Sequence, residues 1–343
     1  MPSASTVTTG TRWTKTTTDG LGRTIKAEQG HGSTTVSIVE TEYGPCACSP
    51  LGKTKRVSMP YAPGGTVHWT TYAYDARGRT LSVTPPGNAG STSYVYEGNT
   101  VKVTDPAGKW KKYEMDAFGN LVKVWEPNPA GGADLQTLYT YNAFNQLTQV
   151  SMTRGSVTQL RTWVYDSQQR LQSVTLPENG TTTYGYDTLG RLSWKQDAKS
   201  QRIGYVYDSL NRVVKTETRN TSNTPTGTLT EFVFDTATNG AGRLHKALHD
   251  HGYNEEYSYT PAGLVSSKAI KFASSQVDNL TATYTYDTQG RRTSMTYPTR
   301  YSWIGGGYTA AAGRSLSYGY DSMGHLYPLP DTTDTAYPDV MVS

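Results

Sequence analysis

Apolar and polar residues along this chain alternate with a period of two. Tyr72-Ala73-Tyr74, Tyr184-Gly185-Tyr186, Tyr205-Val206-Tyr207 and Tyr284-Thr285-Tyr286 each place two rings on one face of an extended segment. Leu121-Val122-Lys123-Val124-Trp125 and Leu192-Ser193-Trp194 alternate in the same way and read as partner strands. Between paired segments stands Asp-x-x-Gly or a near variant. That is the signature of a type I turn whose glycine takes a positive φ as a bulge. Strand, turn and strand make one β-hairpin. No sustained 3.6-residue apolar period is present, and 34 Gly and 17 Pro interrupt any long helix. The pattern predicts an all-β fold of tandem antiparallel hairpins.

The hairpin unit recurs. Tyr72-Ala73-Tyr74-Asp75-Ala76-Arg77-Gly78-Arg79 returns as Tyr184-Gly185-Tyr186-Asp187-Thr188-Leu189-Gly190-Arg191. Tyr205-Val206-Tyr207-Asp208 leads to Asn211-Arg212, Tyr284-Thr285-Tyr286-Asp287 to Gly290-Arg291, and Tyr318-Gly319-Tyr320-Asp321 to Gly324-His325. More worn copies begin at Tyr94, Tyr113, Tyr139, Trp163, Phe232 and Tyr257, and Asp19-Gly20-Leu21-Gly22-Arg23 is an earlier relic. A lone hairpin is marginal in water, whereas stacked hairpins pair edge to edge. Pro85-Pro86-Gly87, Pro127-Asn128-Pro129 and Gly305-Gly306-Gly307 read as connecting loops. Residues 1–343 read as a single array, with clear repeats over 72–326, degenerate ones over 15–71 and an interrupted tail at 327–343.

Composition agrees with thin, two-sided sheets. The 26 Tyr and 7 Trp take over burial that Leu would supply elsewhere. Tyrosine buries a ring and keeps a hydroxyl for a partner. The formal net charge is +4, with 32 basic and 28 acidic residues interleaved. The short runs Lys53–Arg56 and Lys109–Lys112 are too small to track a phosphate backbone, so a nucleic-acid partner is excluded. No apolar run is long enough for a helical membrane span, and the N-terminus has no signal-peptide core.

Eleven tandem units of the Tyr-Asp type, many of them keeping the Gly-Arg offset, resemble the Rhs, or YD-repeat, family, over roughly residues 15–326. The resemblance implies a continuous spiralling sheet, here part of a YD-shell. In bacterial relatives such a shell encloses a C-terminal toxin, and in the animal teneurins it belongs to an adhesion receptor. It therefore implies a non-catalytic structural role, a passenger toxin or effector domain in the full-length protein, and a secreted or cell-surface location. The tail after Leu326-Tyr327-Pro328-Leu329-Pro330 reads as an interrupted repeat, so a fragment or truncated copy is expected. A glycan- or protein-binding adhesion module is the alternative, resting on aromatic rows that could stack on sugars.

Single-copy chemistry is scarce. Asp105-Pro106-Ala107-Gly108 matches the family's self-cleavage motif, but its position and spelling read as one more turn. His245, His249 and His251 could gather a metal, yet His249-Asp250-His251-Gly252 reads as a polar turn. His31, His68 and His325 show no local partner. Cys46 and Cys48 are too few for a zinc site, and a disulfide across one residue closes a very small ring, so they read as small turn residues. No nucleophile elbow or phosphate loop is present. No catalytic residue, metal site or cofactor is expected.

A stability expectation follows from the turn chemistry. Gly190→Val should do more damage than Thr188→Val, because only the first forces a β-branched residue to a positive φ.

Overall fold

The computed structural model describes residues 2–87, 90–250, 252–272, 280–304 and 307–328. Every regular element among them is a β-strand, as the period-two pattern requires. The chain divides into two compact units, Met1–Trp163 and Val164–Ser343. The division falls inside one strand, Val157–Tyr165, rather than in a linker.

Within the first unit each strand pairs antiparallel with the next. The meander begins with Ser3–Thr9 on Arg12–Thr18 and reaches Leu147–Arg154 on Val157–Tyr165. The first hairpin therefore begins at Ser3. In the second unit the meander runs from Leu171–Leu176 on Gly180–Tyr186 to Arg292–Thr296 on Ser315–Tyr320, then Leu326–Pro328. The fold is all-β, with open antiparallel sheets built of tandem hairpins. Arg300–Ile304 and Gly307–Ala311 form a small hairpin of their own. Of the Gly305-Gly306-Gly307 segment, Gly307 belongs to a strand rather than a loop, while 305 and 306 lie outside the described residues.

The core is thin. Ile38, Val124, Val150 and Ala247 are the buried apolar residues among those described. Strand contacts and half-buried rings carry the rest of the stabilisation. In the second unit, strand glycines are covered by large side chains. Gly185 and Gly204 sit directly across from Trp194. A β-carbon at Gly185 would overlap the Trp194 ring, and one at Gly204 would overlap the Arg219 guanidinium. A bare strand backbone is weak; here it is covered by a side chain laid flat upon it. Arg202 stacks on Trp194 at 3.8 Å and donates from Nε to Gln196 Oε1 at 3.0 Å. Arg219 grips Glu217, which is only 5% exposed, through Nε at 2.9 Å and Nη2 at 2.7 Å.

Candidate functional site

The repeated feature is the turn. At Asp187 the glycine amide donates to the aspartate carbonyl (Gly190 N to Asp187 O, 3.0 Å), and Asp187 N donates to Arg191 O at 2.9 Å. Gly190 has φ +80° and the pairing register shifts between Gly185 and Tyr186, giving the expected type I turn with a bulge. The carboxylate divides its work. Oδ1 accepts from the amides of Leu189 and Arg191, each at 2.9 Å, and Oδ2 accepts from Arg191 Nε at 2.7 Å. The same set recurs at Asp19, Asp75, Asp166, Asp208 and Asp287. Charged bonds of this kind are short and strong.

The clamped arginine then reaches the next repeat. Arg170 lies over the Tyr186 ring at 4.4 Å, Arg191 over Tyr207 at 4.6 Å, and Arg291 over Tyr320 at 4.5 Å. Each of those tyrosines answers with its hydroxyl. Tyr186 donates to Leu171 O and Tyr207 to Leu192 O, both at 2.8 Å, and Tyr320 donates to Arg292 O at 2.9 Å. In every case the acceptor is the residue after the arginine. In the first unit, Arg23 lies over Tyr43, whose hydroxyl donates to Thr24 O at 3.1 Å. Aspartate fixes arginine, arginine carries the ring, and the ring's hydroxyl ties back to the preceding hairpin. Burial pushes the Tyr186 and Tyr207 hydroxyls above their ordinary pKa, so they remain donors.

Substitutions within the ladder are compensated. Phe234 has no hydroxyl, and there Arg212 forms a paired bond to Asp235, Nη1 to Oδ1 at 3.1 Å and Nη2 to Oδ2 at 2.6 Å. Asn replaces Gly at 145 and 211, with φ of 60° and 63°. Asparagine tolerates this region better than most residues. Its amide oxygen repays the strain: Asn120 Nδ2 donates to Asn145 Oδ1 at 3.0 Å, and Arg191 Nη1 to Asn211 Oδ1 at 2.9 Å.

Asp105 adopts the same turn, with Lys109 N donating to its Oδ1 at 2.8 Å and Gly108 N to its carbonyl at 3.0 Å. Geometrically it is one more hairpin corner. Among the described residues, His245 and His249 have separate partners. His245 Nε2 meets Glu256 Oε1 at 3.2 Å, while His249 stacks on Tyr253 at 4.3 Å. His251 lies outside the described residues, as does the tail from 329 onward. Among the described residues no cluster of ligating side chains could hold a metal.

Two sequence expectations need correction. His325 does have a local partner: its Nδ1 is 3.0 Å from Asp321 Oδ2, in the place arginine takes elsewhere. Cys46 and Cys48 form a disulfide rather than standing as free small residues. The chain reverses at Ala47, which brings the two Cα atoms to 5.1 Å, within the range a disulfide needs. The sequence reading also missed further corners of the same geometry at Asp197 and Asn220, where no Tyr-x-Tyr precedes the turn.

Two experiments probe the ladder. Tyr207→Phe, which deletes one hydroxyl bond and keeps the ring, should cost about 0.5–1.5 kcal/mol in denaturant titration. Tyr207→Leu should cost more, because the arginine stacking is lost as well. The second experiment is a pH series. Amide bonds from the following arginine lead in holding the Asp75, Asp166 and Asp208 carboxyls below the ordinary 3.8, against an opposing cost of desolvation. A folded pKa below the unfolded one stabilises above the unfolded value and is lost as pH falls through the folded value. The melting temperature should therefore hold steady near neutrality and decline once pH drops below about 4. A melting temperature that stays level from neutrality to about pH 2 would show that the carboxylates do not support the fold.

Hairpins cross-linked repeat to repeat, with their polar chemistry recurring from corner to corner, define a β-hairpin repeat protein. The family model for the teneurin YD-shell matches residues 63–255, more than half of the 343 residues, and the chain belongs to that family. Among solved structures, it is similar to the TcdB2-TccC3-Cdc42 complex and to TcdB2-TccC3, each at 14% identity and TM-score 0.67. It is likewise similar to the Photorhabdus luminescens Tc holotoxin pore, at 15% identity and TM-score 0.67. Each likeness covers 92% of this chain but only about a fifth of the other, 19–21%. At these identities the likeness establishes the fold. No curated protein matches the chain.

Proposed function

We propose that this chain is a non-catalytic wall segment of an Rhs-type β-shell, which in the full-length protein encloses or presents a toxin or effector domain outside the producing cell. The observation that carries this reading is the ladder itself. Asp187, Arg191 and Tyr207 are spent on holding one hairpin against the next, and their counterparts do the same in repeat after repeat. Groups engaged in this way are scaffold. Family membership and the solved Tc toxin complexes support the same assignment.

The test is protection of a passenger. The longer gene product, with whatever domain follows the array, is treated with a protease beside the isolated passenger. Slow digestion of the passenger within the longer product is expected. Equal digestion rates would overturn the reading. Glycan binding by aromatic rows has less support, because the rings of Trp194, Tyr186 and Tyr207 are already occupied by guanidinium groups.

A further inference from the structure

The Cys46–Cys48 disulfide is poorly explained as a staple. Cross-linking stabilises a fold mainly by closing a loop in the unfolded chain, and the gain grows with loop length. This loop holds a single residue, Ala47. The reversal is also closed by backbone pairing of Cys46 with Ser49. Small, accessible disulfides belong to the reactive kind rather than the structural kind.

The surroundings of the two sulfurs differ. Cys46 lines an open cleft of about 720 Å³ whose other walls include Tyr43, Tyr72, Tyr74, Lys53 and Lys55. Cys48 does not line it. Instead its Sγ packs against the backbone of Gly78, so closely that a β-carbon there would clash. The Cys48 amide donates to Cys46 Sγ at 3.2 Å. An amide donor favours a thiolate, while the charges lining the cleft are mixed, Lys53 and Lys55 beside Glu42 and Asp75. Cys46 is thus open to the cleft and accepts an amide bond, while Cys48 stands behind it. Both residues are half-buried rather than sealed.

We infer that Cys46 and Cys48 form a thiol–disulfide exchange site for cysteine pairs of polypeptides, with Cys46 as the sulfur that meets the substrate and Cys48 as the resolving sulfur. In the oxidising direction a substrate thiolate attacks Cys46 Sγ, the Cys46–Cys48 bond breaks, and Cys48 leaves as a thiolate that takes up a proton. The second substrate thiolate then attacks its partner sulfur in the mixed disulfide and expels Cys46. The substrate dithiol ends oxidised by two electrons, the protein ends as the dithiol, and two protons pass from one to the other. The reduced chain runs the same steps backwards on a peptide disulfide. The three tyrosines give the cleft a surface suited to an extended peptide segment.

The experiment uses the full chain and a model peptide carrying one intramolecular disulfide. Reduced Cys48→Ser, which lacks the resolving sulfur, should accumulate a mixed disulfide with the peptide at Cys46, read by intact-mass spectrometry. Reduced Cys46→Ser should accumulate at least tenfold less. Equal trapping by the two variants, or none by either, would overturn the assignment. The unmutated chain supplies a second test should a variant fail to fold. Mixed in its oxidised form with the dithiol form of the peptide, it should hand over its disulfide one for one. Peptide oxidation no faster than in buffer, with the protein's disulfide retained, counts against the site. So does a chain isolated as a dithiol holding a metal.

Discussion

Arg219→Met is expected to destabilise the second unit by about 3–5 kcal/mol in denaturant titration, the cost of leaving one member of a buried ion pair without the other. Glu217 is 5% exposed, and Arg219 supplies two of its bonds. The arginine can reach it only because Gly204 leaves room for the guanidinium to lie on the strand. The double variant Arg219→Met, Glu217→Leu should recover most of the loss, since an apolar pair of similar volume removes the stranded charge. A double variant as unstable as the single one would mean that packing of the Arg219 stem, and not its charge, supports this face.

The second large effect is at the turn. Gly190→Val should cost about 1–3 kcal/mol through backbone strain at φ +80°. It should also disturb the corner from which Arg191 reaches Tyr207. Thr188→Val, two residues away and without positive φ, should remain within about 0.5 kcal/mol of the parent chain, as surface changes usually do. Equal melting temperatures for the two variants would contradict the turn geometry. The near-neutral replacement is Gly190→Asn, because Asn145 and Asn211 already occupy this place in other repeats.

The fold was legible because its determinants are local. Tyr184 and Tyr186 share a face through their spacing alone, and Asp187 and Gly190 announce a turn through their own chemistry. The role of Arg191 was not legible in the same way. Its partners Tyr207 and Asn211 lie 16 and 20 residues on, so contact depends on how successive hairpins register. Trp194 over Gly185 was hidden for the same reason, since nothing in Gly185 signals what will cover it. His325 was recoverable, because it stands four residues after Asp321, where the other units carry arginine. The turn at Cys46 and Cys48 was legible, but a ring closed across one residue argued against a disulfide, and the 5.1 Å between their Cα atoms that permits one depends on the turn's geometry.

The long turn at Asp235 has a wider consequence. Four more residues separate Asp235 from Arg243 than separate Asp187 from Arg191, yet Asp235 N still donates to Arg243 O at 3.0 Å and Arg243 still faces Tyr259. The corners are therefore tolerant of inserted sequence, while the coupling runs only between neighbours. An array made this way can gain or lose whole hairpins by recombination, because seams such as Arg170–Tyr186 and Arg191–Tyr207 offer the same donor and acceptor to the next copy. Its evolutionary unit is the hairpin, and the length of the array can drift without any single residue having to change its task.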